Sequence, residues 1–487
     1  MSNFVEPFSE LGLSIQNTYA QLPDIFMTKM DPIPVKDPKV EIINYELAKE
    51  LGLEFENIDR DALAQIFSGN KLPKNSTPLA QAYAGHQFGH FTMLGDGRAL
   101  MMCEHLTPKN EIIDIQFKGS GRTPYSRGAD GRAALGPMLR EYLMSEALHH
   151  LGIPTTRSLA VVSTGEKILR EVPMNGAVLT RVASSHIRVG TFQYAAARND
   201  KDALKKLLDY SVKRHFPEIK NETDNVLLFL RSVMEKQIDL IVNWMRVGFI
   251  HGVMNTDNST ISGETIDYGP CAFMNSYNLN TVYSSIDLQG RYSYGNQPNI
   301  IHWNILRLAE SLIGLIDEDE KKAVSIIEKK ISDISSQISS KWLNMMLQKI
   351  GIEIAEPEDE QLVHDLLKWM QDNKADFNNT FCYLMEYNHI NDKVFETDSF
   401  KLWKNNWILR VKKEKNYLDI MKRVNPIFIP RNHLVENALD EADKGKIDKF
   451  NSLIEVISKP YSFQSKHEEY YLTPEVDETN YQTFCGT

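Results

Sequence analysis

The sequence has few cysteines, no long apolar run and no excess of basic residues, and each absence excludes a class of protein. Its four cysteines lie far apart and form no CxxC pair, which argues against a disulfide framework and a zinc site. No apolar stretch reaches membrane-spanning length, and the N-terminus lacks the pattern of a signal peptide. The net charge of −11 argues against a general nucleic-acid binder. We therefore expect a cytoplasmic protein that binds neither membrane nor nucleic acid.

One segment departs from the acidic character of the chain. Between Gly85 and Gly190 there are 12 Lys and Arg against 9 Asp and Glu, and glycines are frequent. Since the remaining residues carry all of the net negative charge, this segment suits a small anionic ligand better than a long polyanion.

A loop rich in glycine and arginine follows a predicted strand at 112–117 that ends in Lys118. Residues 119–132 contain four glycines and three arginines. They could form a mobile, solvated loop, but backbone amides and guanidinium groups that cradle phosphate explain the composition better. Just upstream, Gly95, Gly97 and Arg98 lie in a predicted strand–turn–strand hairpin across 91–102, which is either a plain hairpin or a second phosphate contact.

A helix predicted at 133–151 carries two glutamates, Glu141 and Glu146. Either could pair with Lys118, because burial of the lysine would require a carboxylate partner. Two further strands, at 158–162 and 176–180, lead to Arg181 and Arg188.

Two polar turns follow a predicted apolar helix. The first contains Asp257 and Asn258, and the second contains Asp267 before a Tyr-Gly-Pro breaker. Oxygen ligands of this kind suit Mg²⁺, and one carboxylate would remain free to act as a base. The plain alternative is that these side chains satisfy the backbone of their turns.

The order of these features is the plan of a protein kinase: phosphate loop, lysine strand, glutamate helix, helical lobe, catalytic loop and metal aspartate. It predicts an α+β, kinase-like bilobal fold. We expect an N-terminal wrapping extension at 1–80, a β-rich nucleotide-binding lobe at 81–190, a helical catalytic lobe at 191–350, and a helical C-terminal region with a mobile tail at 351–487. Helices are predicted at 305–316, 321–338, 360–371 and 400–424.

The motifs themselves resemble the selenoprotein O family, called SelO or, in bacteria, YdiU. The resemblance extends from about Tyr83 to Tyr294 and depends on YAGHQFGHF, LGDGRA, QFKGSGRTPYSRGADGRA, LREYLMSEA, TRVASSHIRVGTF, HGVMNTDN, TIDYGP and QGRYSYGNQP. It implies a kinase-like enzyme that transfers AMP from ATP to Ser, Thr or Tyr hydroxyls of proteins; UMP transfer is also attributed to the family.

The resemblance also implies roles for individual residues. Nucleotide contacts are implied at Gly95, Gly97, Arg98, Lys118, Asp130, Gly131, Arg181, Arg188 and Asp267. Glu141 would pair with Lys118, Asp257 would accept the proton, and Asn258 and Asp267 would hold Mg²⁺ or Mn²⁺. Two alternatives stay open: a conventional kinase that transfers the γ-phosphoryl group, and an inactive nucleotide-binding regulator. Members of the family often carry a cysteine or selenocysteine near the C-terminus, and a redox pair between Cys485 and Cys271 is a further hypothesis.

Overall fold

The fold combines one large antiparallel sheet with many helices. The computed structural model describes residues 11–387, 390, 392–473 and 481–484. The predicted α+β, kinase-like class is confirmed. Cys485 and part of the predicted tail lie outside the described residues.

The strands come mainly from the first 183 residues. They are β1 (Ile15–Gln16), β2 (Met27–Lys29), β3 (Lys39–Ile43), β4 (Leu79–Gln87), β5 (His90–Gly95), β6 (Ala99–Leu106), β7 (Ile112–Lys118), β8 (Ala133–Ala134), β9 (Arg157–Leu169), β10 (Pro173–Ala183), β11 (Phe249–Ile250) and β12 (Ala272–Phe273).

The main sheet contains ten of these strands within the described residues, in the order β2-β4-β6-β7-β10-β9-β3. Strands β1, β5 and β8 pair with β6, β4 and β10 respectively, while β11 and β12 form a separate pair. Three strands from the first 80 residues thus belong to the same sheet as β4 to β10. The division into four regions stays a prediction.

The strands β9 and β10 show why the sheet forms the centre of this part of the molecule. Their apolar side chains alternate between two cores, because successive residues of a strand point to opposite faces. Val161 and Leu179 pack on the side of the long helix that follows β8, whereas Val162 and Val178 pack beneath the two N-terminal helices. Burial on both faces explains the continuous apolar runs in these strands.

The helices surround the sheet and form most of the chain after residue 188. They are α1 (Tyr45–Glu50), α2 (Arg60–Phe67), α3 (Leu135–His150), α4 (Val189–Ala197), α5 (Lys201–His215), α6 (Asn225–Arg246), α7 (Gln297–Ile316), α8 (Glu320–Ile331), α9 (Ile334–Lys349), α10 (Asp359–Asp372), α11 (Phe377–Leu384), α12 (Asp398–Val411), α13 (Tyr417–Val424), α14 (Asn432–Asp443) and α15 (Asp448–Ile457).

Two predicted helices are interrupted. The segment predicted at 321–338 divides between α8 and α9 at Ser332 and Asp333, and the segment predicted at 400–424 divides between α12 and α13. In both places polar residues break a continuous apolar pattern, which the periodicity alone does not detect. Among the described residues, every helix is too short or too polar to cross a membrane.

The predicted hairpin across 91–102 is wrong in its pairing. Strands form on both sides of the Gly-Asp-Gly turn, but β5 pairs with β4 and β6 pairs with β7 and, at Leu79–Met101, with β4. The chain crosses over at the turn because Asp96 is drawn inward, where its carboxylate accepts the backbone N–H of Gln81 at 3.1 Å. The turn therefore lies against the sheet and does not project from it.

Candidate active site

The predicted site residues meet in one cavity. It has a volume of about 460 Å³ and lies between the ends of β5 to β7, helix α3 and the loops after β11. All twelve residues named from the sequence line it: Gly95, Gly97, Arg98, Lys118, Asp130, Gly131, Glu141, Arg181, Arg188, Asp257, Asn258 and Asp267. The structure thus brings them together, while the role of each remains a prediction.

Four charged side chains form a cluster on one wall, in which Lys118, Glu141 and Arg181 are buried and Asp267 is partly buried. The ammonium of Lys118 donates to Glu141 Oε2 at 2.6 Å and to Asp267 Oδ1 at 2.5 Å. Arg181 donates to Glu141 Oε1 at 2.8 Å and to Asp267 Oδ1 at 2.5 Å. Two cations therefore share two carboxylates, which compensates the desolvation of all four groups.

The sheet register explains how the cluster assembles. Lys118 ends β7, and Arg181 in β10 lies opposite Gln116, two residues earlier in β7 and on the same face. Burial would raise the pKa of Glu141, but the charges of Arg181 and Lys118 outweigh it, so the pKa is lowered. The same cations hold the pKa of Asp267 well below its usual value against the effect of burial. Both carboxylates are ionised at neutral pH.

Only one of the two glutamates on α3 reaches Lys118. Glu146 lies farther along the helix and receives Nε and Nη2 of Arg157, each at 2.7 Å. The geometry therefore decides which glutamate pairs with Lys118. Glu141 faces the cavity, and Glu146 joins α3 to the start of β9.

Arg188 forms a second cationic position in the cavity. Its guanidinium lies 4.3 Å from the centre of the Tyr83 ring, 3.7 Å from Asp96 Oδ1, and donates to the carbonyl of His186 at 3.0 Å. Its Nε is buried without a hydrogen-bond partner among the described residues, as is Nη1 of Arg98. Buried donors without acceptors are costly, and a phosphate in the cavity would supply acceptors.

The glycine-rich loop packs directly against the Gly-Asp-Gly turn. The hydroxyl of Thr123 donates to the carbonyl of Asp96 at 2.6 Å, and the ring of Tyr125 covers Gly95. A Cβ at Gly95 would lie 2.4 Å from that ring, and the φ of +154° also favours glycine. Glycine here allows two loops to close over the cavity, a packing role that the sequence interpretation did not include.

Asp130 turns its carboxylate away from the charged cluster. It receives Nη1 of Arg170 at 2.8 Å and the backbone N–H of Arg132 at 2.9 Å. The hydrogen bond from Arg170 is the main cause of its lowered pKa. This ion pair holds the end of the glycine-rich loop against the β9–β10 turn, with the neighbouring Gly131 at the cavity wall.

Asp257 occupies the opposite wall, in a single helical turn at Thr256–Asn258. Burial raises the pKa of its carboxyl to about 6. Its Oδ1 is buried and has no hydrogen-bond partner among the described residues. Asn258 beside it donates Nδ2 to the carbonyl of Val253 at 2.9 Å, which leaves its side-chain oxygen as an acceptor.

The turn that joins β4 to β5 fixes the loop of Asp257 from outside. The backbone N–H of His86 donates to Thr256 Oγ1 at 2.8 Å, and that of Phe88 donates to Asn255 Oδ1 at 3.0 Å. Gly85 lies so close that a Cβ there would be 2.2 Å from Asp257 Oδ1. Sequence reasoning missed Gly85, and the only available signal was its position in the YAGHQFGHF motif.

His251 connects the two polar turns. Its Nε2 lies 2.8 Å from the carbonyl of Ile266, and its ring stacks on Trp244 at 5.2 Å. The indole of Trp244 in turn donates to Thr265 Oγ1 at 2.9 Å. Helix α6 therefore positions Asp267, which adopts a left-handed φ of +64° directly after this support.

A C-terminal segment at 481–484 holds the loop that follows Asp267. The carbonyl of Thr483 accepts the backbone N–H of Ser285, and the N–H of Thr483 donates to the carbonyl of Tyr283. The Thr483 hydroxyl donates to the carbonyl of Pro270 at 2.7 Å. Arg140, next to Glu141, donates to the carbonyl of Cys271 at 2.7 Å. Arg140 is a further supporting residue that the sequence did not reveal. Cys271 is buried, but the hypothesis of its pairing with Cys485 lies outside the described residues.

The oxygen donors fit a hard divalent cation that is also bound by phosphates. Among the described residues, no three His, Cys, Asp or Glu side chains gather into a metal-binding group. Asn258 and Asp267 nevertheless contribute an amide oxygen and an ionised carboxylate to the same cavity. Mg²⁺ commonly uses one or two protein oxygens and completes its shell with water and substrate phosphates.

Comparisons with known proteins found similar sequences over most of the chain. The sequence model of the family described as Protein adenylyltransferase SelO matches residues 9–458. Protein nucleotidyltransferase YdiU of Nitrosococcus oceani is 52% identical over 483 residues, covering 98% of both chains. The proteins of the same name from Pelagibacter ubique and Clostridium perfringens are 50% and 52% identical over 481 and 483 residues, covering 98% of this chain and 100% and 99% of theirs.

Proposed function

The chain belongs to the SelO family of protein adenylyltransferases, and from this premise we propose that it transfers AMP from ATP to Ser, Thr or Tyr hydroxyls of other proteins. With UTP the same site would transfer UMP. The observation that carries the proposal is the cluster of Lys118, Glu141, Arg181 and Asp267 in one cavity with Asp257.

The cationic side chains would bind the triphosphate. Displacement at phosphorus depends on alignment and on neutralisation of charge more than on covalent chemistry. Lys118 and Arg181 already form hydrogen bonds to carboxylate oxygens, and phosphate oxygens would offer acceptors of the same kind. Arg98 and Arg188 each hold a buried N–H without an acceptor among the described residues, which supports further phosphate contacts in the cavity.

The backbone around Gly95, Gly97 and Gly131 would lie against the nucleotide. These glycines line the cavity together with Asp130, and a Cβ at any of them would lie within 3.0 Å of a neighbouring ring or backbone atom. Amides approached closely in this way bind phosphate and ribose oxygens.

Asn258 and Asp267 would hold Mg²⁺ or Mn²⁺. When bound, the cation would neutralise charge on the phosphates and help to align the α-phosphorus. The positioning of Asp267 by the Ile266–His251 contact and of Asn258 by Val253 supports this assignment. Asn258 is held by a backbone carbonyl and the Asp267 carboxylate by Lys118 and Arg181, so the oxygen donors are placed before any ligand arrives.

Asp257 would act on the acceptor hydroxyl. The hydroxyl oxygen forms a bond to the α-phosphorus, the bond from that phosphorus to the oxygen bridging to the β-phosphorus breaks, and pyrophosphate leaves. The hydroxyl proton passes to the carboxylate of Asp257, which lines the cavity. A carboxylate withdrawn from water by burial is a stronger base than one in water, and the raised pKa of Asp257 suits this role.

The test is incubation with Mg²⁺ and ATP labelled on the α-phosphate, beside ATP labelled on the γ-phosphate. We expect acceptor protein to retain only the α label, and Asp267→Ala to lose it. Asp202→Ala, an exposed aspartate on α5, is the matched control and should transfer normally. Label from γ alone would identify a kinase. ATP binding without either label would identify an inactive regulator.

A further inference from the structure

An exposed apolar turn stands at the mouth of the active-site cavity. Ile286 lines the cavity that contains Asp257, yet its surface is 57% exposed. Leu288, two residues later, is 90% exposed. Single apolar side chains on a surface need no explanation, whereas two on one turn beside this cavity form a small apolar surface that a bound molecule would cover.

Hydrogen bonds hold the turn in place, so the exposure of Ile286 and Leu288 is a feature of the fold. Asp287, between the two apolar residues, is buried and accepts the backbone N–H groups of Arg291 and Tyr292 at 2.9 and 2.8 Å. Its own N–H donates to the carbonyl of Ser284 at 3.1 Å. With Asp287 fixed inward by these bonds, Ile286 and Leu288 on either side of it stay exposed.

A cationic and aromatic cluster adjoins this turn. The guanidinium groups of Arg291 and Arg307 each lie 5.0 Å from the centre of the Trp303 ring. Arg307 pairs with the exposed Glu310 at 2.5 Å, whereas Arg291 forms no ion pair with any described residue. Arg291 is therefore a partly exposed positive charge available to a partner.

Tyr292 connects the cluster of Arg291, Trp303 and Arg307 to the loop that carries Asp257. The Tyr292 hydroxyl donates to Asn255 Oδ1, and the Tyr292 ring lies 5.2 Å from that of Phe88. Gly89, at the tip of the β4–β5 turn, lies against the guanidinium of Arg291, 3.8 Å from where its Cβ would be. An acceptor hydroxyl at Asp257 would thus belong to a chain that passes over both the apolar turn and Arg291.

We propose that Ile286, Leu288 and Arg291 form a docking surface for the protein substrate, and that the surface selects hydroxyls flanked by an apolar residue and an acidic residue. The inference depends on the proposed nucleotidyl transfer and adds the substrate class to it. The apolar side chain would cover Ile286 and Leu288, and the carboxylate would pair with Arg291, giving complementary charge at the edge of the site.

The experiment uses the full chain, α-labelled ATP and an arrayed library of short peptides, each with one central Ser, Thr or Tyr and varied flanks. Wild type is compared with Leu288→Asp and Arg291→Glu. The matched controls are Leu402→Asp and Arg423→Glu. They change exposed residues on α12 and α13 that do not line the active-site cavity. Affinity for ATP is measured for each variant and should equal that of wild type.

We expect wild type to favour peptides with an apolar flank and an Asp or Glu flank. Arg291→Glu should reduce transfer to the acidic peptides on the order of tenfold and improve transfer to their Lys-containing counterparts. Leu288→Asp should remove the apolar preference, and both controls should keep the wild-type profile.

The possible failures are distinguishable. Uniform labelling of the library, or a preference that Arg291→Glu and Leu288→Asp leave unchanged, overturns the docking surface and leaves nucleotidyl transfer standing. If wild type labels no peptide or protein from α-labelled ATP, the proposed function itself fails, and the docking surface fails with it.

Discussion

At the scale of single residues, the contact between Gly85 and Asp257 constrains the proposed base. Any Cβ at position 85 would lie 2.2 Å from Asp257 Oδ1 and 2.9 Å from its Cβ, so the aspartate must move. We expect Gly85→Ala to lower the rate of transfer by about a hundredfold or more, because a displacement of about 1 Å has effects of this size. Affinity for ATP should change little. Rates with labelled ATP and binding titrations check both expectations.

Gly314→Ala is the matched control for this change. Gly314 lies within α7, and an added Cβ there meets no atom within 4 Å. It should leave transfer unchanged and stabilise the protein by up to about 1 kcal/mol, since alanine favours the helix. Normal transfer by Gly85→Ala would show that Asp257 does not need its present position.

The same residues show how far sequence reasoning extends. The meeting of Lys118, Glu141 and Asp267 could be anticipated because each lies at a characteristic place in an ordered series of elements. The choice between Glu141 and Glu146 could not be made from burial requirements, since both are buried and both have cationic partners. Gly85 escaped because a close approach between distant segments leaves no periodic trace.

At the scale of elements, helix α5 is fastened to the sheet by buried charges. Arg214 near its C-terminus pairs with Asp114 in β7 at 2.6 Å and also with Glu104 in β6. Burial would raise the pKa of Asp114, but Arg214 and His186 outweigh it and lower the value to about 2.

This pairing predicts a stability that depends on pH. The pKa of Asp114 is lower in the folded chain than in the unfolded chain, where it is near 4. The ionised carboxylate therefore stabilises the fold at pH values above 4, and this contribution is lost as the pH falls toward 2. We expect Asp114→Asn to lower the free energy of unfolding by about 3 kcal/mol at pH 7. The difference from wild type should roughly halve by pH 3. Urea titrations at several pH values measure it.

The control for that experiment is Asp365→Asn, an exposed aspartate on α10 that should unfold like wild type at every pH. A constant difference between wild type and Asp114→Asn from pH 7 to pH 3 would contradict the assignment. The strand that carries Asp114 was predicted from its apolar alternation, but the pairing with Arg214 depends on a contact across 100 residues, which no local pattern contains.

Element pairing was the least predictable feature in general. An Asp-Gly turn between apolar segments favours a hairpin, and strands do form on both sides of Asp96. Their partners differ because the buried Asp96 carboxylate bonds to Gln81 and lies near Arg188, so tertiary contacts override the local turn preference.

At the scale of the whole molecule, the cavity lies where sheet, α3 and the loops after α6 meet, so ligands should stabilise the fold globally. ATP with Mg²⁺ at about a hundred times its dissociation constant should add about 2.7 kcal/mol, seen as a higher Tm. Removal of the metal with EDTA should lower Tm toward the ligand-free value, because Asn258 and Asp267 would lose the cation that joins them to the phosphates.

For Asp267→Asn, the rise in Tm caused by ATP with Mg²⁺ is measured from the ligand-free Tm of the same variant. This rise should lack the part that depends on the metal. Asp202→Asn should keep it. An equal shift by ATP with and without EDTA, in wild type and in Asp267→Asn alike, would remove Asn258 and Asp267 from the metal site.

The order of strands in the sheet has a consequence for biogenesis. Its two outer strands, β2 and β3, both come from the first 43 residues, yet their neighbours β4 and β9 are made later. Until β9 leaves the ribosome, β3 has no partner, and without β3 the apolar edge at Ala160–Ser163 would offer free backbone groups to other chains. The N-terminal residues therefore protect the finished enzyme from aggregation, and a chain shortened to begin at β4 should be insoluble for that reason.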